Sequence, residues 1–189
     1  MPPPPSPHTH DSSYRESLLE HLFTGEVMSH LWRAQYTRLE VLKPQVDNSG
    51  YDLVMEANGV VRHIQLKTSH LGAATPRVNI HRALAKKPSG CVIWIKFDPA
   101  SLALGPFLWF GESPGMKLQA IEDFEITKHT KANAQGVKSE RPNMRVVTRA
   151  RFTELATIDD VVARLFGQQP YHHDLADVEV DVETTPDSM

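Results

Sequence analysis

Apolar positions fall into recognisable periods along most of the chain. From Ser13 to about Gln35, Leu19, Leu22, Phe23 and Val27 recur at helical spacing, which predicts an amphipathic helix. Ser13-x-x-Glu16 reads as a capping box at its start. A strand is expected near Thr37–Lys43. Two more, Tyr51–Glu56 and Val61–Thr68, flank Asn58-Gly59, the strongest short signal for a two-residue hairpin turn. A short helix is expected around Asn79–Lys87. Cys91-Val-Ile-Trp-Ile-Lys-Phe97 reads as a buried strand, followed by another at Phe107–Gly111. Arg145–Phe152 alternates like an exposed edge strand. Ile158–Phe166 is a final amphipathic helix, stopped by Gly167 and Pro170. Helix, strands and then mixed elements predict an α/β or α+β domain around a central mixed sheet flanked by helices.

The hairpin carries the first chemistry. With Asn58 and Gly59 as its loop, Ala57 faces Val60, Met55 faces Arg62 and Leu53 faces Ile64. Asp52 then lies opposite Gln65, with Cβ atoms about 4.5–5.5 Å apart. Lys67, two residues on, shares that face. Tyr51, Leu53, Met55, Ile64 and Leu66 form the opposite, apolar face. A carboxylate, an amide and an ammonium therefore share one patch. An ordinary cross-strand ion pair would also explain it.

The first helix holds an acid among its apolar residues. Glu26 falls between Leu22 and Phe23 in angle, and His30 lies one turn on. A carboxylate in that position needs a partner or a metal ion. A hydrogen bond or ion pair to the sheet would serve equally. Glu16 and Glu20 lie toward the stripe's edge, where a surface role suffices.

Thr24-Gly-Glu26, Ser49-Gly-Tyr-Asp52-Leu-Val and Ile64-Gln-Leu-Lys67-Thr-Ser together resemble the PD-(D/E)XK nuclease superfamily. The likeness is closest to its Mrr-type and Holliday-junction-resolvase-like members, and spans about residues 13–97. It implies a restriction-endonuclease-like fold in which Glu26, Asp52, Gln65 and Lys67 converge. It also implies Mg²⁺ or Mn²⁺ as cofactor. Asp52, Gln65, Glu26 and the Leu66 backbone carbonyl would be the ligands, and Lys67 would act on water and phosphate. The implied activity is metal-dependent hydrolysis of DNA. Members are often dimers, so a homodimer is compatible. Gly50-Tyr51 stands where the family name has Pro, and Gln65 where an acid is usual. The second departure favours the rival reading, a nucleic-acid-binding or assembly module that kept the fold without catalysis.

Charge bears on the DNA reading. The 189 residues carry net −3, which excludes a uniformly basic nucleic-acid coat. The charge is unevenly spread. Residues 170–189 are −6, so the rest is +3, and residues 128–151 alone are +6. Lys128, Lys131, Lys138, Arg141 and Arg145 in that stretch are candidate phosphate contacts. Ser69, just past the hairpin motif, is another. A solvated charged loop, and for Ser69 a structural strand end, are the plain alternatives. Residues 1–11, with five prolines, and the acidic 170–189 read as disordered extensions of one domain over 12–169. A single cysteine, Cys91, excludes an internal disulfide and a Cys-rich zinc site. No apolar run approaches membrane-spanning length and the start lacks signal-peptide character, so no membrane partner and a cytoplasmic location are expected.

Overall fold

The Asn58-Gly59 turn forms as expected, with φ of 52° and 72°. Positive φ at both positions matches the twist of the flanking strands, which is why Asn and Gly are placed there. The computed structural model describes residues 12–46, 49–129 and 136–167. Lys131 and both expected extensions, 1–11 and 170–189, lie outside the described residues.

In chain order the elements are α1 (Ser12–Arg33), β1 (Glu40–Leu42), β2 (Leu53–Ala57), β3 (Val60–His70), β4 (Arg77–His81), β5 (Gly90–Phe97), β6 (Leu104–Gly111), β7 (Ile126–Lys128), β8 (Glu140–Thr148), β9 (Thr153–Leu155) and α2 (Ile158–Phe166). Six strands form a mixed sheet in the order β1-β2-β3-β5-β6-β9. Only β3 and β5 run parallel; the other pairs are antiparallel. The predicted hairpin register holds, with Leu53 opposite Ile64, Met55 opposite Arg62 and Ala57 opposite Val60.

The two faces of this sheet are covered differently. Leu19, Phe23, Val27 and Leu31 are the buried residues of α1. Phe23, Val27 and Leu31 pack with Val161, Leu165 and Phe166 of α2 against Leu53, Met55, Ile64, Ile93 and Ile95. Each such side chain contributes about 1.5–3 kcal/mol when fully buried. The opposite face meets a second, three-stranded sheet, β4-β8-β7, through Ile80, Leu84, Val92, Phe110 and Val147. All eight residues of β5 are buried, as its unbroken apolar run requires of a strand between two layers.

Arg62 ties the hairpin to the helical layer. It is wholly buried. Nε donates to the Leu165 carbonyl at 2.7 Å, Nη2 to the Arg164 carbonyl at 2.7 Å and Nη1 to the Glu112 carbonyl at 3.1 Å. It thus satisfies carbonyls at the C-terminal turn of α2, which otherwise lack intrahelical donors. The N-terminus of α2 is closed by a Thr157–Asp160 capping box.

Several expectations are corrected. Ser13 lies inside α1, which already includes Ser12, so it is not the cap. The helix expected at Asn79–Lys87 is the end of β4 followed by a short 3₁₀ turn, Arg82–Lys86. Val78 and Ile80 alternate, and Ile80 fills the second core. Arg145–Phe152 is no edge strand. β8 is the centre of the small sheet and gives way to a 3₁₀ turn at Arg149–Arg151. Tyr51 joins the second core rather than the face of Leu53 and Met55, and meets the His63 ring edge-on at 4.9 Å. Among the described residues, no helix is long and apolar enough to cross a membrane.

Candidate functional site

β2 stops pairing at Leu53, while β3 runs on to His70. Asp52 bridges the gap. Its backbone N–H donates to the Ile64 carbonyl at 2.8 Å. Its Oδ2 accepts from the Leu66 N–H at 2.6 Å. A side chain has taken the place of the next residue in the ladder, and one carboxylate oxygen is pinned as a result. Alternate residues of a strand present their polar groups to the same edge, so the Leu66 carbonyl also faces the space beyond the end of β2.

Two adjoining grooves meet there. One, of about 500 Å³, is lined by Arg15, Glu16 and Glu20 of α1, by Lys43 after β1, and by Asp52, Leu66 and Lys67. The other, of about 470 Å³, is lined by Asp52, Gln65, Lys67, Asn79, His81 and Arg141. Asp52 and Lys67 line both. Gln65 is 6% exposed, and its Oε1 accepts from the His81 N–H at 3.2 Å. That bond fixes the amide's orientation and leaves the carbonyl oxygen one further lone pair. The small sheet thus holds Gln65 in place through backbone.

Asp52, Gln65 and Lys67 are brought together, but Glu26 is not with them. It lines a separate groove with His21, Ser29, Arg33 and Ile158 of α2. Glu20 lines the first groove, 17% exposed at the side chain and ion-paired with Lys43. The reason lies in the stripe's period. The buried residues of α1 follow a spacing of four, at 19, 23, 27 and 31. At 3.6 residues per turn this stripe drifts about 40° per step. By the level of Glu26 it has turned away on one side; at the level of Glu20 that residue lies on the other. Treating the stripe as straight put Glu26 at its middle and Glu20 toward its edge. The four-residue spacing was the available signal. Burial raises the Glu26 carboxyl above its ordinary range.

The candidate phosphate contacts also separate. Arg141 reaches the groove beside Asp52, Gln65 and Lys67. Lys128 and Lys138 are exposed. Arg145 is buried and donates to the carbonyls of Glu122, Pro142 and Met144 at 3.1, 2.8 and 3.2 Å, so its charge faces inward. Arg149 pairs with Glu154 at 3.2 Å, and Arg151 lies over the Phe124 ring. The basic segment is not one surface. Ser69 Oγ accepts from Trp94 Nε1 at 2.9 Å and from Lys96 Nζ at 2.8 Å. Lys96 is itself 5% exposed, and burial, with Arg149 adding to it, lowers its ammonium below the usual range. Cys91 is wholly buried with its thiol pushed up to about 12, which removes it as a nucleophile.

Among the described residues no three His, Cys, Asp or Glu side chains gather closely enough to hold a metal ion. The oxygen donors around the grooves include the Asp52, Glu16 and Glu20 carboxylates, the Gln65 and Asn79 amides and the Leu66 carbonyl. Mg²⁺ takes oxygen ligands, keeps several waters and is commonly held by one or two carboxylates, and these donors are of that chemical type.

No protein-family model matches the chain, and no curated protein does. Among solved structures, the chain is similar to a bacterial homing endonuclease, I-Ssp6803I. The match has 18% identity and a TM-score of 0.25, over 60% of this chain and 80% of that one. An overlap that loose carries no assignment.

Proposed function

We propose that the paired grooves bind nucleic acid and hydrolyse its phosphodiester bonds with a divalent cation. The observation that carries this reading is the meeting of Asp52, Gln65 and Lys67 where β2 ends, with Glu20 lining the adjoining groove. The Asp52 and Glu20 carboxylates, the Gln65 amide oxygen and the Leu66 carbonyl would hold Mg²⁺ or Mn²⁺. Such an ion, when bound, polarises a phosphoryl oxygen and makes water more acidic. The chain's own groups do the rest. Asp52, fixed by the Leu66 N–H, keeps one geometry at the ion's place. Lys67 orients the attacking water and offsets negative charge building on the phosphate. Arg141 neutralises a neighbouring phosphate and holds the strand in register without reading its sequence.

One assay tests this. Purified protein is incubated with linear, supercoiled and branched DNA, with Mg²⁺, Mn²⁺ or chelator, beside Lys67→Ala. Cleavage that needs the metal and disappears in the variant is the expected result. Binding without cleavage under every condition would favour the rival, a binding module that kept this fold. The neutral Gln65, whose oxygen already accepts the His81 N–H, is the observation on that side.

A further inference from the structure

The Glu20 carboxylate does not stand alone in its groove. Lys43 reaches it from the end of β1, and the two form an ion pair, with side-chain exposures of 17% for Glu20 and 50% for Lys43. Pro44 follows Lys43 directly, which restricts the Lys43 backbone to extended geometry. Beyond that point the four-carbon stem is flexible, and its ammonium is a compact charge that can move by several ångströms. Formally the groove is balanced: Arg15, Lys43 and Lys67 face Glu16, Glu20 and Asp52. A divalent ion entering such a site meets acids whose charge is already matched.

We propose that Lys43 is a built-in counter-ion for Glu20, which competes with a divalent cation and gives way when one binds. This rests on the reading of the groove as a metal-dependent site, and adds how that site is regulated. With Lys43 on Glu20, the protein alone holds metal weakly. A nucleic-acid phosphate offers the ammonium a second anion, so substrate draws Lys43 off Glu20 and raises the site's affinity for metal. The ion pair thereby holds the Glu20 carboxylate in position without a resident ion. Metal and nucleic acid then bind with positive coupling, each strengthening the other by the same factor.

Calorimetric titration of the full chain with Mn²⁺, at constant ionic strength and without DNA, tests this directly. Lys43→Met removes the charge and keeps much of the stem; Lys43→Arg keeps the charge. Asp52→Asn serves as the site control. Lys43 is half exposed, so Lys43→Met is expected to fold, and its thermal midpoint checks this. The expected result is that Lys43→Met binds Mn²⁺ at least tenfold more tightly than the native chain, while Lys43→Arg stays within about threefold of it. If Lys43→Met binds no more tightly, and Asp52→Asn still loses binding, the counter-ion role is overturned and the metal site stands. If none of the four proteins binds Mn²⁺, the metal-dependent reading falls and this inference with it.

Discussion

α1 has an acid on each flank, and their surroundings differ in kind. Glu26 lines a groove made of helical side chains from α1 and α2. Glu20 lines a groove that includes the unfinished end of a β-ladder, where Asp52 caps the Leu66 N–H and the Leu66 carbonyl opens outward. Both grooves hold basic groups, so charge alone does not tell them apart. Backbone does. A strand that outruns its partner presents fixed polar groups at an edge, and side chains that complete its ladder are fixed with them. The Glu26 groove contains no strand end, and its α1 residues spend their backbone groups within the helix, so the carboxylate there is a side chain among side chains.

The sharpest way to break this comparison is by activity. Lys67→Ala should lower metal-dependent cleavage about a thousandfold, the scale set by removing a group that stabilises developing charge. DNA binding, measured by fluorescence anisotropy in chelator, should stay within a few-fold. Glu26→Gln should leave cleavage within about twofold, because no strand end faces it. A large loss in Glu26→Gln with Lys67→Ala active would move the site to the other flank of α1.

The basic segment repeats the contrast between groups fixed by backbone and groups left to solvent. Arg145→Ala should lower unfolding free energy by about 2 kcal/mol in urea, since three carbonyls lose a charged donor. Arg141→Ala should leave stability within about 0.5 kcal/mol. It should instead weaken DNA binding and reduce the slope of log affinity against log salt by about 1. Exchange of these two outcomes would mean that Arg141 is structural and Arg145 meets phosphate.

What could be read from the residues divides along the same line. The hairpin was legible because Asn58-Gly59 permits one turn geometry, and one turn fixes every cross-strand pair. That placed Asp52, Gln65 and Lys67 together. β5 was legible as an unbroken apolar run with turn residues at both ends. The small sheet was not. β4 is five residues long and flows into a 3₁₀ turn, so period-two and helical spacings overlap in one short stretch. β8 looked like an edge because its second neighbour, β7, spans only three residues, and because a buried Arg145 has the composition of a surface. Arg62 was hidden for the same reason: carbonyls from the end of α2, about a hundred residues away in sequence, are what make its burial tolerable. Glu26 was placed at the middle of the apolar stripe by an error of period, 3.6 taken where the buried residues follow 4.

The smallest predicted effect separates the two acids without reference to catalysis. Burial raises the Glu26 carboxyl above its ordinary value of 4.5. The folded state then holds its proton to a higher pH than the unfolded chain does. Stability therefore declines as pH rises from about the ordinary value through the raised one, and the cost is fully present above it. Gln at this position cannot titrate. Glu26→Gln should flatten that decline and stabilise the protein at neutral pH by about 0.5 kcal/mol, and at pH 3 the two proteins should differ little. Glu20→Gln should not stabilise, because it loses the ion pair with Lys43. Urea unfolding of the three proteins across pH 3–8 reads both effects. If Glu20→Gln flattened the decline instead, Glu20 would be the acid strained by burial, and the assignment of the two flanks of α1 would be reversed.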